Sequence, residues 1–152
     1  LGTIFTEVRL KQVIELRSLD TCNFGCICNG PAFFTGLIYG SLEETYEIIK
    51  NWKKEEVMEA YFNAPKKGLN TLLNNKKLID WGRIFLDLSK KGLEKRNEMN
   101  KSGKNETIYL KHLEEIIESK KTRAEMLIEQ FNKVKNLNFL VNHDENFSYS
   151  GF

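Results

Sequence analysis

The stretch that organises this chain is Val13-Ile14-Glu15-Leu16-Arg17-Ser18-Leu19-Asp20. Read as a β-strand, it places Glu15 and Arg17 on one face, because side chains alternate between faces with a period of two. Two opposite charges among Val, Ile and Leu residues are costly to bury unless each has a partner. Each charge either pairs with the other or binds a ligand, such as a metal ion for the carboxylate and a phosphate for the guanidinium.

Two structural explanations compete with a ligand site on this pattern alone. Residues 7–19 can also be drawn as a helix with its apolar residues on one side and its charges facing water. A Glu/Arg pair on one face of an edge strand is also an ordinary surface salt bridge, which contributes about 0.2–1 kcal/mol.

Composition predicts one soluble globular domain. The chain has 152 residues, of which 29% are charged and 41% hydrophobic. Its formal net charge of +2 gives no broad electrostatic footprint for nucleic acid. Apolar runs such as 32–39 are far shorter than the ~20 residues of a membrane span, and residues 1–20 carry charges throughout, unlike a signal peptide. Because the sequence does not start with Met, we expect a fragment of a longer chain.

Three cysteines, Cys22, Cys26 and Cys28, lie within seven residues. An odd number so close together is not a disulfide framework. A thiolate metal site lacks a fourth ligand nearby, since His112 and His143 are far away in sequence. We therefore expect reduced cysteines, as in a cytosolic protein.

The expected fold class is mainly α with a short N-terminal β part (α+β). Residues 3–11 and 12–19 read as extended segments, and 21–30 as a loop. Apolar spacing then predicts helices over 31–40, from Ser41, over 55–63, over 77–97, over 107–118 and from Thr122. The expected organisation is 1–30 as strands and loop of a catalytic sheet, 31–133 as a helical region and 134–152 as a tail, loosely docked or disordered.

Local signals place several helix ends. Capping boxes are predicted at Ser41 with Glu44 and at Thr122 with Glu125, and Pro65 predicts a helix end before it. Residues 66–75 read as a loop. We expect the aromatic residues and Met58, which lie at helical core spacing, to be buried, and His112 to be exposed.

Five segments in order resemble the carboxy-terminal part of glutamate–cysteine ligase of the plant and proteobacterial type. Thr3–Lys11 resembles that family's Phe-Pro-Glu-Val-Arg-Leu-Lys, and Ile14–Arg17 with Asp20 resembles its Leu-Glu-Met-Arg-Gly-Ala-Asp. The other three are Cys28–Tyr39, similar to Cys-Ala-Leu-Pro-Ala-Phe-Trp-Val-Gly-Leu-Leu-Tyr; Gly92–Arg96, similar to Gly-Leu-Ala-Arg-Arg; and Thr122–Glu125, similar to Thr-Pro-Ala-Glu. Thr6 replaces a proline of the family, and 21–23 replace a glycine-containing turn.

The resemblance implies a carboxylate–amine ligase similar to glutamine synthetase, in which a Glu-x-Arg strand supplies a magnesium ligand and a phosphate-binding arginine. It assigns the Mg²⁺ ligand to Glu15 and the catalytic, ATP phosphate-binding role to Arg17, with Arg9 as a weaker phosphate-binding candidate or a structural ion pair. The implied cofactors are ATP and Mg²⁺, and the substrates are L-glutamate and L-cysteine.

The same resemblance implies the remainder of the same enzyme as a partner, no nucleic acid or membrane partner, and a cytoplasmic location. One strand of this kind does not complete a ligase site, so we expect the fragment alone to be inactive. Two alternatives stay open. One is a non-catalytic helical interaction module with a structural Glu15–Arg17 pair, and the other is a related ligase that joins glutamate to a different amine.

Overall fold

A computed structural model describes residues 7–19, 24–136 and 138, and it is mostly helical. The chain begins its described part with a hairpin of two short antiparallel strands, β1 (Val8–Leu10) and β2 (Ile14–Leu16). The extended segments predicted around residues 3–19 are thus confirmed where they are described, although the strands are shorter. The predicted extended segment at 3–6 lies outside the described residues, as does most of the predicted tail.

Helices dominate the remainder of the described chain. A single 3-10 turn, Phe24–Cys26, precedes α1 (Asn29–Thr35), which continues without a break into a π-helical stretch, Gly36–Gly40. The later helices are α2 (Leu42–Ile49), α3 (Lys54–Lys67), α4 (Leu78–Arg96), α5 (Lys111–Ser119) and α6 (Arg123–Val134). The mainly helical fold class with a short N-terminal β part is confirmed.

The 19-residue α4 is the central element, against which α1, the π-helical stretch and α5 pack. Its Leu86 and Leu93 form a core with Ala32 of α1 and with Leu110, which ends a 3-10 stretch, Glu106–Leu110. Leu93 and Leu110 are completely buried. This small aliphatic core fixes the helical part of the molecule.

Two serine hydroxyls bind across the crossing of α4 with the α1/π-helical segment. The Ser41 hydroxyl donates to the Leu88 carbonyl at 2.9 Å, and the Ser89 hydroxyl donates to the Phe33 carbonyl at the same distance. Both serines are almost fully buried. Each buried hydroxyl is therefore satisfied by the backbone of the opposite element.

Glycines allow the same crossing to close to backbone contact. A Cβ atom placed on Gly92 would overlap the Gly36 carbonyl oxygen, and one placed on Gly40 would overlap the Gly92 backbone. Both Gly36 and Gly92 are buried. The absence of a side chain at these positions is thus a packing requirement.

The predicted capping box at Ser41 is wrong. Ser41 does precede α2, but its side chain makes no capping bond; its hydroxyl instead donates to the Leu88 carbonyl of α4. The capping box at Thr122 is confirmed: the Glu125 amide donates to the Thr122 hydroxyl at 3.2 Å, and the Thr122 amide donates to the Glu125 carboxylate at 2.6 Å.

The predicted end of the third helix before Pro65 is also wrong. Helix α3 continues through Pro65 to Lys67, and Gly68 follows with a positive φ of 52°. Proline removes one helical hydrogen bond. In α3 the bond that is lost would run to the carbonyl of residue 61, and the helix continues for only two residues beyond the proline.

The segment predicted as a loop over 66–75 contains a second small hairpin. Strands β3 (Leu72–Leu73) and β4 (Lys76–Lys77) pair across Asn74 and Asn75, both of which have positive φ. Asparagine tolerates this conformation, and two such residues in succession form the turn that suits a tight hairpin.

Several apolar residues predicted to be buried lie on the surface instead. Tyr46, Met58 and Phe62 are 62%, 43% and 67% exposed. Helices α2 and α3 bury their small residues, Thr45 and Ala60, so their larger side chains face outward. The apolar spacing correctly predicted helices here, but it did not identify which face of α2 or α3 packs against the rest of the molecule.

Two further expectations are corrected. Cys26 is disulfide-bonded, so the expectation of reduced cysteines fails there, while Cys28 is a free thiol. His112 is half-buried rather than exposed, and its Nδ1 lies 3.0 Å from a Glu115 carboxylate oxygen on the next turn of α5.

Candidate functional site

The N-terminal hairpin brings Arg9 and Glu15 together. The two residues are direct partners in the antiparallel register, which places their side chains on the same face of the hairpin. The Arg9 Nε donates to Glu15 Oε2 at 2.6 Å, and Nη2 of the same guanidinium lies 2.5 Å from that oxygen. Both side chains keep about two-fifths of their surface exposed, so the pair remains accessible to a ligand.

The charge on Glu15 is stabilised by its surroundings. The hydrogen bond from Arg9 lowers the pKa of the Glu15 carboxyl group below its usual value, and the positive charges of Arg9, Lys11 and Arg17 lower it further. Partial desolvation opposes these effects without reversing them. Glu15 is therefore an ionised carboxylate within a positively charged environment at neutral pH.

Arg17 lies immediately after β2 on the same side of the chain as this pair. Its amide donates to the Glu7 carbonyl at 2.8 Å, which extends the hairpin hydrogen bonding by one residue beyond the strands. Its side chain is partly buried, and its charge acts on Glu15. The structure thus brings together all three predicted residues, Arg9, Glu15 and Arg17, but Arg9 is the hydrogen-bonded partner of Glu15.

A residue that sequence reasoning missed connects this hairpin to the helical region. The Tyr61 hydroxyl of α3 donates to the Glu7 carboxylate at 3.2 Å. No local signal identifies this contact, since 54 residues separate the two side chains. The bond gives the exposed hairpin one polar anchor on the helices.

The donor set at this hairpin supplies only part of a metal site. Among residues 7–19, 24–136 and 138, no group of three or more His, Cys, Asp or Glu side chains is positioned to hold a metal ion. Mg²⁺ commonly uses one or two protein carboxylates together with substrate phosphates and water. An ionised, accessible Glu15 fits the role of one such ligand, and Arg9 already binds one of its oxygens.

Comparison with models of known protein families identifies the family of this chain. Residues 1–143 match the model of glutamate-cysteine ligase family 2 (GCS2). The chain belongs to glutamate-cysteine ligase family 2. The matched range contains the hairpin and α1–α6, so the candidate residues lie within the family region.

Curated relatives from plants agree with this assignment. A chloroplastic glutamate–cysteine ligase of Solanum lycopersicum is 35% identical over 133 residues, which cover 86% of this chain and 24% of the relative. Ligase A of Oryza sativa subsp. indica is 35% identical over 130 residues, 84% of this chain and 25% of the relative. The Arabidopsis thaliana ligase is 34% identical over 134 residues, 87% of this chain and 24% of the relative.

The chain spans about a quarter of the length of the family relatives it matches. Within the described residues of this family member, no helix is long and apolar enough to cross a membrane. In the part of the chain that the structure describes, the positive charges of Arg9, Lys11 and Arg17 act on the Glu15 carboxylate.

Proposed function

We propose that this chain acts as part of a longer ATP-dependent ligase that joins the γ-carboxylate of glutamate to the amine of cysteine. The family membership and the plant glutamate–cysteine ligases that match 84–87% of the chain support this proposal. The main observation behind it is an ionised Glu15 on an exposed hairpin, hydrogen-bonded by Arg9 and influenced by the charge of Arg17.

In the proposed reaction, ATP phosphorylates the γ-carboxylate of glutamate, and the cysteine amine then displaces phosphate from the resulting acyl phosphate. Protein groups in such transfers mainly position the reactants and neutralise developing charge. Arg17 offers a planar, permanently charged fork to phosphate oxygens, which is the geometry that phosphate binding favours. Glu15 would hold Mg²⁺, which would draw charge from the nucleotide phosphates when bound.

Arg9 has a positioning role in this proposal. Its hydrogen bond fixes one carboxylate oxygen of Glu15 and further favours the ionised form, which a metal ligand requires. Arg9 also remains a candidate for phosphate contact, because its guanidinium is about two-fifths exposed. The remaining acidic and nucleotide-binding groups would come from the rest of the enzyme, in a sheet similar to that of glutamine synthetase.

Exposed apolar side chains support docking of the hairpin onto such a sheet. Val8, Leu10, Val13 and Ile14 are 51%, 81%, 69% and 63% exposed. A two-stranded hairpin is only marginally stable alone in water, and its unpaired edges are ready to bind a further strand. The helical region would then hold this hairpin from outside the sheet. A cytoplasmic location remains a prediction.

Turnover of a family-length enzyme that contains this chain tests the role of Arg17. We expect Arg17→Ala to lower kcat by roughly 10²- to 10³-fold, because a preorganised cation would be lost from the transferring phosphoryl group. Arg123→Ala, at the start of α6, is a matched arginine control and should retain the wild-type rate. ATP-dependent formation of the glutamyl–cysteine product provides the measurement, and circular dichroism confirms that both variants fold.

The same assay separates the alternative functions. Wild-type turnover in Arg17→Ala would refute the catalytic role. No ATP-dependent product from the wild-type enzyme would favour a non-catalytic helical module. Efficient turnover with another amine and none with cysteine would identify a related ligase.

A further inference from the structure

A cavity of about 330 Å³ lies at the start of α4, in a part of the molecule that shares no residue with the hairpin. Three separate segments form it: the 3-10 turn Gly68–Asn70, the first turns of α4, and the turn between α5 and α6. Its volume falls within the range of about 300–1,000 Å³ that is usual for small-molecule sites. The lining side chains that matter here are Leu69, Asn70, Lys77, Asp80, Arg83 and Lys120.

Positive charge dominates the lining. Three cationic side chains, Lys77, Arg83 and Lys120, face a single carboxylate, Asp80, which leaves an excess of two positive charges. Lys77 Nζ donates to the neutral amide oxygen of Asn70 at 3.0 Å. The one ion pair formed by these groups is long, with 3.8 Å between Arg83 Nη1 and Asp80 Oδ1.

The excess charge identifies the class of ligand. We propose that this cavity binds a phosphate group, either as free phosphate or as a phosphate monoester. A phosphate group carries a charge of about −2 at neutral pH and offers several acceptor oxygens, so it balances the excess of two positive charges. Arg83 provides a planar donor fork, and the lining lysines Lys77 and Lys120 provide point charges.

The open, exposed character of the cations determines the expected affinity. Charges near solvent are screened by salt over roughly 10 Å at 0.1 M ionic strength, so binding should be weak and salt-dependent. The neighbouring Leu69 and Ile79 offer an apolar surface to the remainder of a phosphate monoester.

Nuclear magnetic resonance titration of the 152-residue chain tests this proposal at low, constant ionic strength. Inorganic phosphate should produce saturable shifts in the backbone amides of Lys77, Arg83 and Lys120. Glycerol phosphate tests the monoester source, because tighter binding than that of inorganic phosphate assigns a role to the apolar surface. Acetate, which carries half the charge, should bind at least roughly threefold more weakly.

Two substitutions that should change the phosphate affinity in opposite directions test whether charge drives the binding. Lys120→Gln should weaken phosphate binding by roughly three- to tenfold, whereas Asp80→Asn should strengthen it by a similar factor. Lys91→Gln, on the same α4 but outside the cavity lining, is the matched control and should bind as the wild type does. Because a general loss of folding would weaken binding in both variants, opposite changes in affinity would show that charge is the cause.

Three results would overturn the proposal. They are shifts that do not saturate, equal binding of acetate and phosphate, and equal weakening by Lys91→Gln and Lys120→Gln. Failure of these tests would leave the ligase proposal intact, because that proposal depends on Arg17 and is tested by turnover.

Discussion

Glu15 shows how one residue's charge state follows from its position in a strand register. Arg9 lies directly opposite on the neighbouring strand and donates a hydrogen bond of 2.6 Å to its carboxylate. Lys11 and Arg17 add positive charge without being its principal partner. Because the pKa of Glu15 is lowered in the folded chain, its stabilising contribution is present above the unfolded-state pKa and is lost as pH falls through the folded-state value.

Carboxyl titration by NMR tests this assignment. We expect Glu15 to titrate below 4.5 in the wild type and closer to that ordinary value in Arg9→Gln, because Arg9 contributes the largest lowering effect. Lys11→Gln is the control for charge without a hydrogen bond and should cause a smaller rise. An equal rise in both variants would contradict the assignment of the hydrogen bond as the main cause.

The candidate site was only partly predictable at this scale. The alternation of Glu15 and Arg17 predicted a shared face, and the structure places both charges close enough to interact. The sequence alone could not identify Arg9 as the hydrogen-bonded partner, because that contact depends on the register set by the turn at 11–13. Tyr61 was missed because its contact with Glu7 depends on how α3 packs.

At the scale of elements, the crossing of α4 with the π-helical stretch determines the helical packing. Backbone meets backbone at Gly36, Gly40 and Gly92, and buried serine hydroxyls bind carbonyl groups in both directions. A methyl group added here would force backbone atoms apart, which is more costly than moving the end of a side chain.

Two glycines of α4 provide a matched comparison. We expect Gly92→Ala to lower the free energy of unfolding by about 1–3 kcal/mol, because the new methyl group would overlap the Gly36 carbonyl. In Gly82→Ala the methyl group would meet only Ile117 Cδ1, at 2.9 Å, which lies at the end of a flexible side chain. Chemical denaturation followed by circular dichroism measures both effects.

Helix propensity determines the expected change in the free energy of unfolding for the control variant, Gly82→Ala. Alanine is favoured over glycine within a helix by roughly 1 kcal/mol, so Gly82→Ala should be near neutral or stabilising. Equal destabilisation by both substitutions would show that the crossing is not the constraint on Gly92.

Local sequence signals predicted elements well where their causes are local. Helix α4 was expected over 77–97 and spans Leu78–Arg96, and the capping box at Thr122 involves residues only three positions apart. The Ser41 box was wrong: the Ser41 side chain makes no capping bond, and its hydroxyl donates to a carbonyl 47 residues away, a contact that local sequence does not reveal. The β3–β4 hairpin was missed because each strand has only two residues, although Asn74 and Asn75 were a usable turn signal.

At the scale of the whole molecule, the hairpin and the helical region differ in how they are stabilised. The helical region has completely buried residues such as Leu93 and Leu110, whereas the hairpin exposes most of its apolar side chains. Resistance to local opening increases with buried contacts. The sequence predicted that a short β part precedes a helical part in the chain. It did not predict the exposure of the hairpin, because periodicity does not show which surfaces pack against another element.

Amide hydrogen exchange should detect this difference in the 152-residue chain. We expect the amide of Glu15 to exchange faster than that of Leu93 by roughly two orders of magnitude or more, because strand opening requires little loss of buried surface. Within a family-length enzyme, exchange at the hairpin should slow as a further strand covers it. Equal protection of the hairpin and α4 in the isolated chain would contradict this expectation.

The glycine and serine crossing also restricts which residues this region accepts over evolutionary time. When positions 36, 40 and 92 are randomised and variants are selected for soluble, folded protein, almost only glycine should be recovered at these positions. A second substitution could hardly compensate, because the opposing surface is backbone, and no amino-acid substitution reduces the size of the backbone. This crossing should therefore tolerate substitution poorly, and variation among functional descendants should accumulate elsewhere.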